Sequence, residues 1–373
     1  MSPLRRAGPQ GCYRKIRSPG GTQGGKGVLT GASTTDILTL LRTPPGERPA
    51  LYARADACRR AAHGDGVPLR GIVEFSNICA NDCLYCGIRA ANAGVHRYRM
   101  SAEEILAVAR RLPESGQNTI VLQSGEAPSP AGDARLGRLI ARLKAETPLA
   151  VTVSVGNRPR ATYAAWRAAG MDRYLLRFET SDAALFARLH PACTLAERLR
   201  CLADLRDLGV QVGSGFMIGL PGETHARLAA NIALCRDLDL DMVGIGPFIA
   251  HPATPLAGVP NAWAADPEMH FVAIAVLRLA HPRAHIPATT AFDALFPDPS
   301  GRDLALVRGA NVFMPSATPG RYRGDYLLYP DKPCVDEDAG MCAFCTAGRI
   351  VRLGRSIAEG PGHALSRAPG AAP

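Results

Sequence analysis

The chain has 373 residues, 47% of them hydrophobic, and a formal net charge of +10. That length and apolar content suit one large α/β barrel or two smaller domains, and exclude a disordered chain or a disulfide-stapled miniature fold. Eleven cysteines without an apolar leader point to a reducing, cytoplasmic compartment and to metal binding, and no apolar stretch reaches the roughly 18 residues needed to cross a membrane.

The charge is concentrated at the start. Residues 1–70 hold twelve Lys/Arg against four Asp/Glu, which is +8 of the +10. Residues 1–32, glycine-rich and without an acid, read as a disordered basic tail, and the balanced remainder argues against a nucleic-acid partner. Ser33-Thr-Thr-Asp36 then reads as a helix start, with Asp36 placed to cover free N–H groups. That helix runs to Arg42, the breaker Pro44-Pro45-Gly46 follows, and a second helix lies near 48–62. Together they form an N-terminal unit, 33–68, expected to cap the bottom of a barrel.

From Leu69 onward two periodicities alternate. Strands are expected near 70–76, 119–123, 149–155, 173–177, 211–217, 241–246, 285–288 and 311–314. Helices are expected near 101–112, 134–145, 160–169, 194–208, 223–238, 264–280 and 301–309, with a last one after Cys345. Eight βα units in order predict an α/β fold, a (β/α)8 TIM barrel over residues 69–357. Residues 358–373, rich in Gly, Ala and Pro, read as a loose C-terminus.

The first predicted strand runs directly into Cys79-Ala-Asn-Asp-Cys83-Leu-Tyr85-Cys86. Three cysteines on one short loop can hold three irons of a [4Fe–4S] cube and leave the fourth iron open. An open iron can chelate the amino and carboxylate groups of S-adenosylmethionine (SAM), and one electron can then break the sulfonium bond. The competing readings are a zinc knuckle, with His96 ten residues past Cys86, or three unrelated buried thiols. In an α/β barrel this loop lies at the C-terminal strand ends, where the chemistry belongs.

The other predicted strand ends carry groups suited to SAM. Strand two ends in Gln123-Ser124-Gly125-Glu126, a turn whose carbonyls can accept from the SAM ammonium. In strand four, Arg173, Arg177 and Glu179 share one face. Glu179 is placed for the ribose hydroxyls or ammonium, and Arg198 on the following helix for the methionyl carboxylate. Strand five, around Met217, is thin with glycines and offers a surface for a flat adenine. Thr289 and Thr290 end strand seven and suit a small substrate in the barrel lumen, whereas His251 reads as structural. Near the C-terminus, Cys334, Cys342 and Cys345 read first as a second Fe–S cluster, [2Fe–2S] or [4Fe–4S]. Zinc completed by Asp336, Asp338 or water, and chance proximity, compete with that reading.

Several runs carry a resemblance: Val73-Glu-Phe-Ser-Asn-Ile-Cys79, Cys83-Leu-Tyr-Cys86-Gly-Ile-Arg89, Arg97-Tyr-Arg-Met-Ser-Ala-Glu-Glu104, Ile120-Val-Leu-Gln-Ser-Gly-Glu126, Tyr174-Leu-Leu-Arg-Phe-Glu-Thr180, Asp241-Met-Val-Gly-Ile-Gly-Pro-Phe248 and Ile286-Pro-Ala-Thr-Thr-Ala291. From about residue 33 to 357 the chain resembles the radical-SAM maturases of [FeFe]-hydrogenases, the HydE family. The resemblance implies SAM at the barrel top above a closed cavity. It implies action on a small organometallic iron species bearing cysteine, CO and cyanide, in company with other hydrogenase maturases and an external electron donor. It carries cluster ligation onto Cys79, Cys83 and Cys86 and SAM anchoring onto Glu179 and Arg198, beside Tyr85, Ser124, Gly125, Glu126 and Met217. Gln123, Thr152, Arg173, Thr289, Thr290 and Tyr329 are the expected substrate-cavity residues. The chain departs from the family pattern at Phe178 (usually His), Ala127 (usually Asp) and Asn157-Arg158 (commonly Glu-Trp). Biotin-synthase-like sulfur insertion and a methylornithine-synthase-like mutase are the alternative chemistries, and an Fe–S carrier is the alternative of another class.

Overall fold

The structure is a computed structural model that describes residues 33–336 and 339–365, with the backbone alone described for 339–344. The expected tail 1–32 and Asp338 lie outside the described residues. Ser33 Oγ accepts from Asp36 N at 3.2 Å and the Asp36 carboxylate accepts from Ser33 N at 2.8 Å, a reciprocal cap on α1 (Thr34–Leu41). Helix α2 (Arg48–His63) follows with Pro49 in its first turn, where the missing N–H costs nothing.

Eight parallel strands form the barrel: β1 (Leu69–Ser76), β2 (Gln117–Ser124), β3 (Ala150–Ser154), β4 (Arg173–Leu175), β5 (Gln211–Ser214), β6 (Met242–Val243), β7 (Pro287–Ala288) and β8 (Val312–Phe313). Consecutive strands pair, β8 returns to β1 through Phe313 and Leu69, and a bridge from Met242 to His285 joins β6 to the start of β7. Helices cover the outside, so strand residues are buried on both faces; Ile120, Val121 and Leu122 are all fully buried. The helices are α3 (Ala102–Arg111), α4 (Pro130–Glu146), α5 (Arg160–Ala168), α6 (Ala183–Leu189), α7 (Leu195–Asp207), α8 (His225–Asp237), α9 (Met269–Ala280), α10 (Thr290–Leu295), α11 (Gly301–Leu306), α12 (Gly320–Arg323) and α13 (Ala339–Arg352).

Two long strand expectations break at glycines. Gly215 has φ +151°, and a Cβ there would lie 1.9 Å from Gly244 O, so only glycine lets the two chains cross. Beyond the crossing, Met217–Ile218 and Gly246–Pro247 form a separate small ladder. The short helices α6, α10 and α12 lie in loops that the periodicity left unassigned. Helix α13 begins at Ala339, ahead of Cys342 and Cys345 rather than after Cys345.

The bottom of the barrel is closed by a different segment from the one expected. Helices α1 and α2 lie against α8 and α9, and every residue of α9 is buried between them and the barrel. Residues 358–365, expected to be loose, run beneath the strands instead. Pro361 O accepts from Thr119 Oγ1 at 2.9 Å and Arg173 Nη2 at 2.7 Å, Gly362 O from Arg70 Nη2 at 3.1 Å, and Gln211 Oε1 from Ala364 N at 2.9 Å. No helix among the described residues is long and apolar enough to cross a membrane.

Candidate active site

The three cysteines leave the C-terminal end of β1, as the sequence predicts, and their loop is tied to its surroundings. Ala80 N donates to Glu126 O at 2.7 Å, Leu84 N to Leu189 O at 3.0 Å and Gly87 N to Leu328 O at 3.0 Å. Arg97 clamps both ends: Nη1 donates to Asn77 O at 2.7 Å and Ile88 O at 2.8 Å, and Nη2 to Arg89 O at 2.6 Å. At Gly125 a Cβ would lie 2.4 Å from Ile78 O and 2.9 Å from Cys79 Cβ, so the turn after β2 presses directly on the loop.

Burial raises all three thiol pKa values, Cys86 up to about 12, and in Cys83 the neighbouring Cys86 and Cys79 add to the shift. Apolar surroundings of this kind keep a thiol protonated until a metal displaces the proton. Among the described residues no three His, Cys, Asp or Glu side chains converge as a single metal ion requires. A cube differs from a single ion in taking each thiolate at its own corner, and three thiols on one loop fit that demand.

One cavity of about 350 Å³ gathers most of the predicted residues. Cys79, Cys83, Cys86, Tyr85, Gln123, Ser124, Gly125, Glu126, Glu179, Arg198, Met217, Thr289, Thr290 and Tyr329 all line it. Glu179 is held at φ +61°, a backbone region unusual for a side-chain-bearing residue. Its N donates to Gly215 O at 3.0 Å and its O accepts from Met217 N at 3.1 Å, which fixes the strap carrying Met217. Burial raises the Glu179 pKa, and Arg177 and Arg198 oppose that rise. Arg177 Nη2 stands 3.1 Å from Glu179 Oε2, an ion contact without hydrogen-bond alignment, so this oxygen stays buried and unpartnered, as does Arg198 Nε. Such atoms at a cavity wall fit a polar ligand. On the same cavity wall, Thr290 Oγ1 and Tyr329 OH are 2.5 Å apart.

Two predicted lining residues lie elsewhere. Arg173 is at the opposite end, where its guanidinium holds Thr119 Oγ1 at 3.0 Å and Pro361 O at 2.7 Å. Thr152 is fully buried two residues before the lining Ser154, one layer below the cavity. Phe178 does not line that cavity; it is fully buried and packs on Phe216 with ring centroids 5.9 Å apart. His251 packs its ring where a Gly87 Cβ would sit. Ala127 and Arg158 line a separate cleft outside the barrel.

Sequence reasoning missed two features of the wall. Glu74 and Lys332 form a buried pair at 2.6 Å, and Lys332 also donates to Tyr326 O at 3.1 Å. Tyr85 OH donates to His190 Nε2 at 2.7 Å, which requires the proton on Nδ1, aimed at Phe186 O at 3.2 Å. Glu74 lies inside one of the resembling runs and was open to notice, whereas nothing local marks Lys332. Of the second cysteine set, Cys334 and Cys345 are described and the Cys342 side chain lies outside the described residues; Cys334 O accepts from Arg323 Nη1 at 2.8 Å.

The profile of the Radical SAM superfamily matches residues 73–235. The chain is 44% identical over 310 residues to the [FeFe] hydrogenase maturase subunit HydE of Thermotoga maritima, covering 83% of this chain and 87% of that one. It is 28% identical over 261 residues to a biotin synthase of Thermus thermophilus, covering 69% and 79%. The crystal structure of methylornithine synthase matches with a TM-score of 0.75 at 25% identity, covering 88% of this chain and 94% of that one. With the barrel, the three-cysteine loop and this degree of identity together, the chain belongs to the radical SAM enzymes and, among them, to the HydE family.

Proposed function

We propose that this enzyme acts in assembly of the diiron cofactor of an [FeFe]-hydrogenase, on a small iron precursor carrying cysteine, CO and cyanide. The observation that supports it most is that one cavity is lined both by the three thiols and by the Thr290–Tyr329 hydroxyl pair. Cys79, Cys83 and Cys86 would hold a [4Fe–4S] cluster by their thiolates. When bound, cluster and SAM supply a 5′-deoxyadenosyl radical through one-electron cleavage of the sulfonium. Glu179 accepts from the SAM ammonium or ribose, and Arg198 donates to the methionyl carboxylate. Gln123, Thr289, Thr290 and Tyr329 orient the precursor by hydrogen bonds, and the Glu74–Lys332 pair anchors the loop over them. Cys334, Cys342 and Cys345 hold a second Fe–S cluster. Other hydrogenase maturases and an external electron donor are the partners.

The cavity wall brings no cysteine besides Cys79, Cys83 and Cys86 among the described residues, which favours maturation over sulfur insertion from an internal second cluster. The test is hydrogenase maturation in vitro. Anaerobically reconstituted protein replaces the native HydE in a mixture of partner maturases, apo-hydrogenase and SAM. Hydrogen evolution that is lost with Cys83→Ala is the expected result. No evolution alongside normal SAM cleavage would move the assignment to another substrate.

A further inference from the structure

A second recess lies on the outer side of the cluster loop. It is a cleft of about 580 Å³ between α3 and α4, and Ser124 and Gly125 line both it and the active-site cavity. Its floor is apolar, including Phe75, Ile78, Met100 and Leu136. Ile78 is bonded to Cys79, and the Gly125 contacts place one layer of backbone between the cleft and the first cluster thiol.

The rim is positive. Arg99, Arg135 and Arg138 line the cleft, are exposed, and have no carboxylate partner among the described residues. The other charges are already paired: Arg142 with Glu103 at 2.5 Å, Arg158 with Asp133 at 2.8 Å and Glu104 with Arg321 at 2.5 Å. The chain's own ends do not suit the cleft, because residues 1–32 carry six Lys/Arg and no acid, and residues 366–373 one Arg and no acid. An apolar floor inside a ring of unpaired arginines calls for a partner whose apolar contact is ringed by carboxylates.

We propose that this cleft docks the acidic face of a small one-electron carrier protein, which reduces the cluster at Cys79, Cys83 and Cys86 from behind the loop. The inference rests on the radical-SAM assignment of the cavity. One electron leaves the carrier, which is oxidised by one unit, and the cluster is reduced by one unit; no bond forms or breaks and no proton moves. Entry from this side leaves the cavity mouth free for SAM and substrate.

The test uses full-length, cluster-reconstituted protein and an acidic plant-type ferredoxin as the probe. Formation of 5′-deoxyadenosine is driven by dithionite or by reduced ferredoxin, in wild type and in Arg135→Glu/Arg138→Glu. The dithionite rate is expected to stay within about twofold, while the ferredoxin rate at low salt falls by about tenfold or more. Binding of oxidised ferredoxin, measured without turnover, weakens to a similar extent, and raising the salt weakens wild-type binding. Equal ferredoxin affinity and equal ferredoxin rate in variant and wild type would overturn the proposal. So would a change in the self-association of the variant, which would assign the cleft to a second copy of the chain. A wild type that binds ferredoxin through these arginines yet cleaves no SAM with either reductant would sink the cavity's radical-SAM reading and keep the docking surface.

Discussion

Both ends of the barrel bury arginines, and both leave polar atoms unmatched, Arg70 Nε at the bottom included; the two ends differ in the room beside them. At the bottom, Arg173 donates to Gln211 Oε1 at 3.2 Å, Thr119 Oγ1 at 3.0 Å and Pro361 O at 2.7 Å, and the gap beside it is about 10 Å³. At the top, Arg177 Nε, Glu179 Oε2 and Arg198 Nε are buried without hydrogen-bond partners beside about 350 Å³ of space. The gap at the bottom holds one water at most, while the top has room for a ligand. Burial of charge therefore does not mark a site by itself. What marks one is unmatched polar atoms together with room for the group that would match them.

The sharpest test of the top is Cys83→Ala. Formation of 5′-deoxyadenosine is expected to fall to the level of a no-enzyme control, with a parallel loss of bound iron. Cleavage at wild-type yield would break the assignment of the loop. The corresponding test of the bottom is a chain that stops after Glu359. It loses the acceptors for Arg70, Thr119 and Arg173, and each buried donor left unmatched costs about 1–3 kcal/mol. The melting temperature is expected to fall by about 10 °C. Cleavage per folded molecule at low temperature should persist, because no active-site atom is touched. An unchanged melting temperature would mean that the bottom is held by something other than this segment.

The cluster loop was legible in the sequence because its three thiols fall within eight residues and follow a strand. The Ser124 turn was legible because a polar Ser-Gly-Glu run closes a strand; Glu179 was picked out by strand alternation, yet it stands beyond the end of β4 at φ +61°, so that bend and not alternation turns it to the cavity. Arg173 was misplaced because alternation gives the face and says nothing of the height. Arg173 opens β4 beside the small gap at the bottom, whereas Arg177 lies past the strand's last residue, Leu175, at the active-site cavity. Residues 358–365 read as loose because Gly and Pro report on backbone freedom, whereas the carbonyls of Pro361 and Gly362 do the holding. Glu74 and Lys332 are 258 residues apart, and only the closed ring brings them together.

A smaller effect at the top comes from His190. Burial lowers its pKa to about 4 from an ordinary 6.5, and Arg198 adds to the shift. Between these values the unfolded chain binds the proton and the folded chain does not, so stability must fall as pH drops from 6.5 towards 4. The full loss is on the order of 3 kcal/mol. Urea unfolding of the apo-protein at pH 7 and pH 5 reads it, and His190→Gln should flatten this part of the dependence. A dependence as steep in the variant would show that His190 is not its source.

The smallest expected effect concerns Phe178, the position next to Glu179 that the sequence reading set apart from the family pattern. Phe178 is fully buried against Phe216, their rings tilted by 32°, and does not line the active-site cavity. Phe178→His would put ring nitrogens into this apolar contact, at a cost of about 1–3 kcal/mol. It would leave the cavity wall as it is, so the KM for SAM should stay within about twofold while the unfolding midpoint drops. Two phenylalanines in contact also make the departure self-consistent: with an aromatic at 216, position 178 favours another apolar ring over an imidazole seeking a partner. A variant with unchanged stability and altered KM would reverse this reading, placing position 178 in the SAM site and extending the unmatched polar surface of the top to a residue that now belongs to the core.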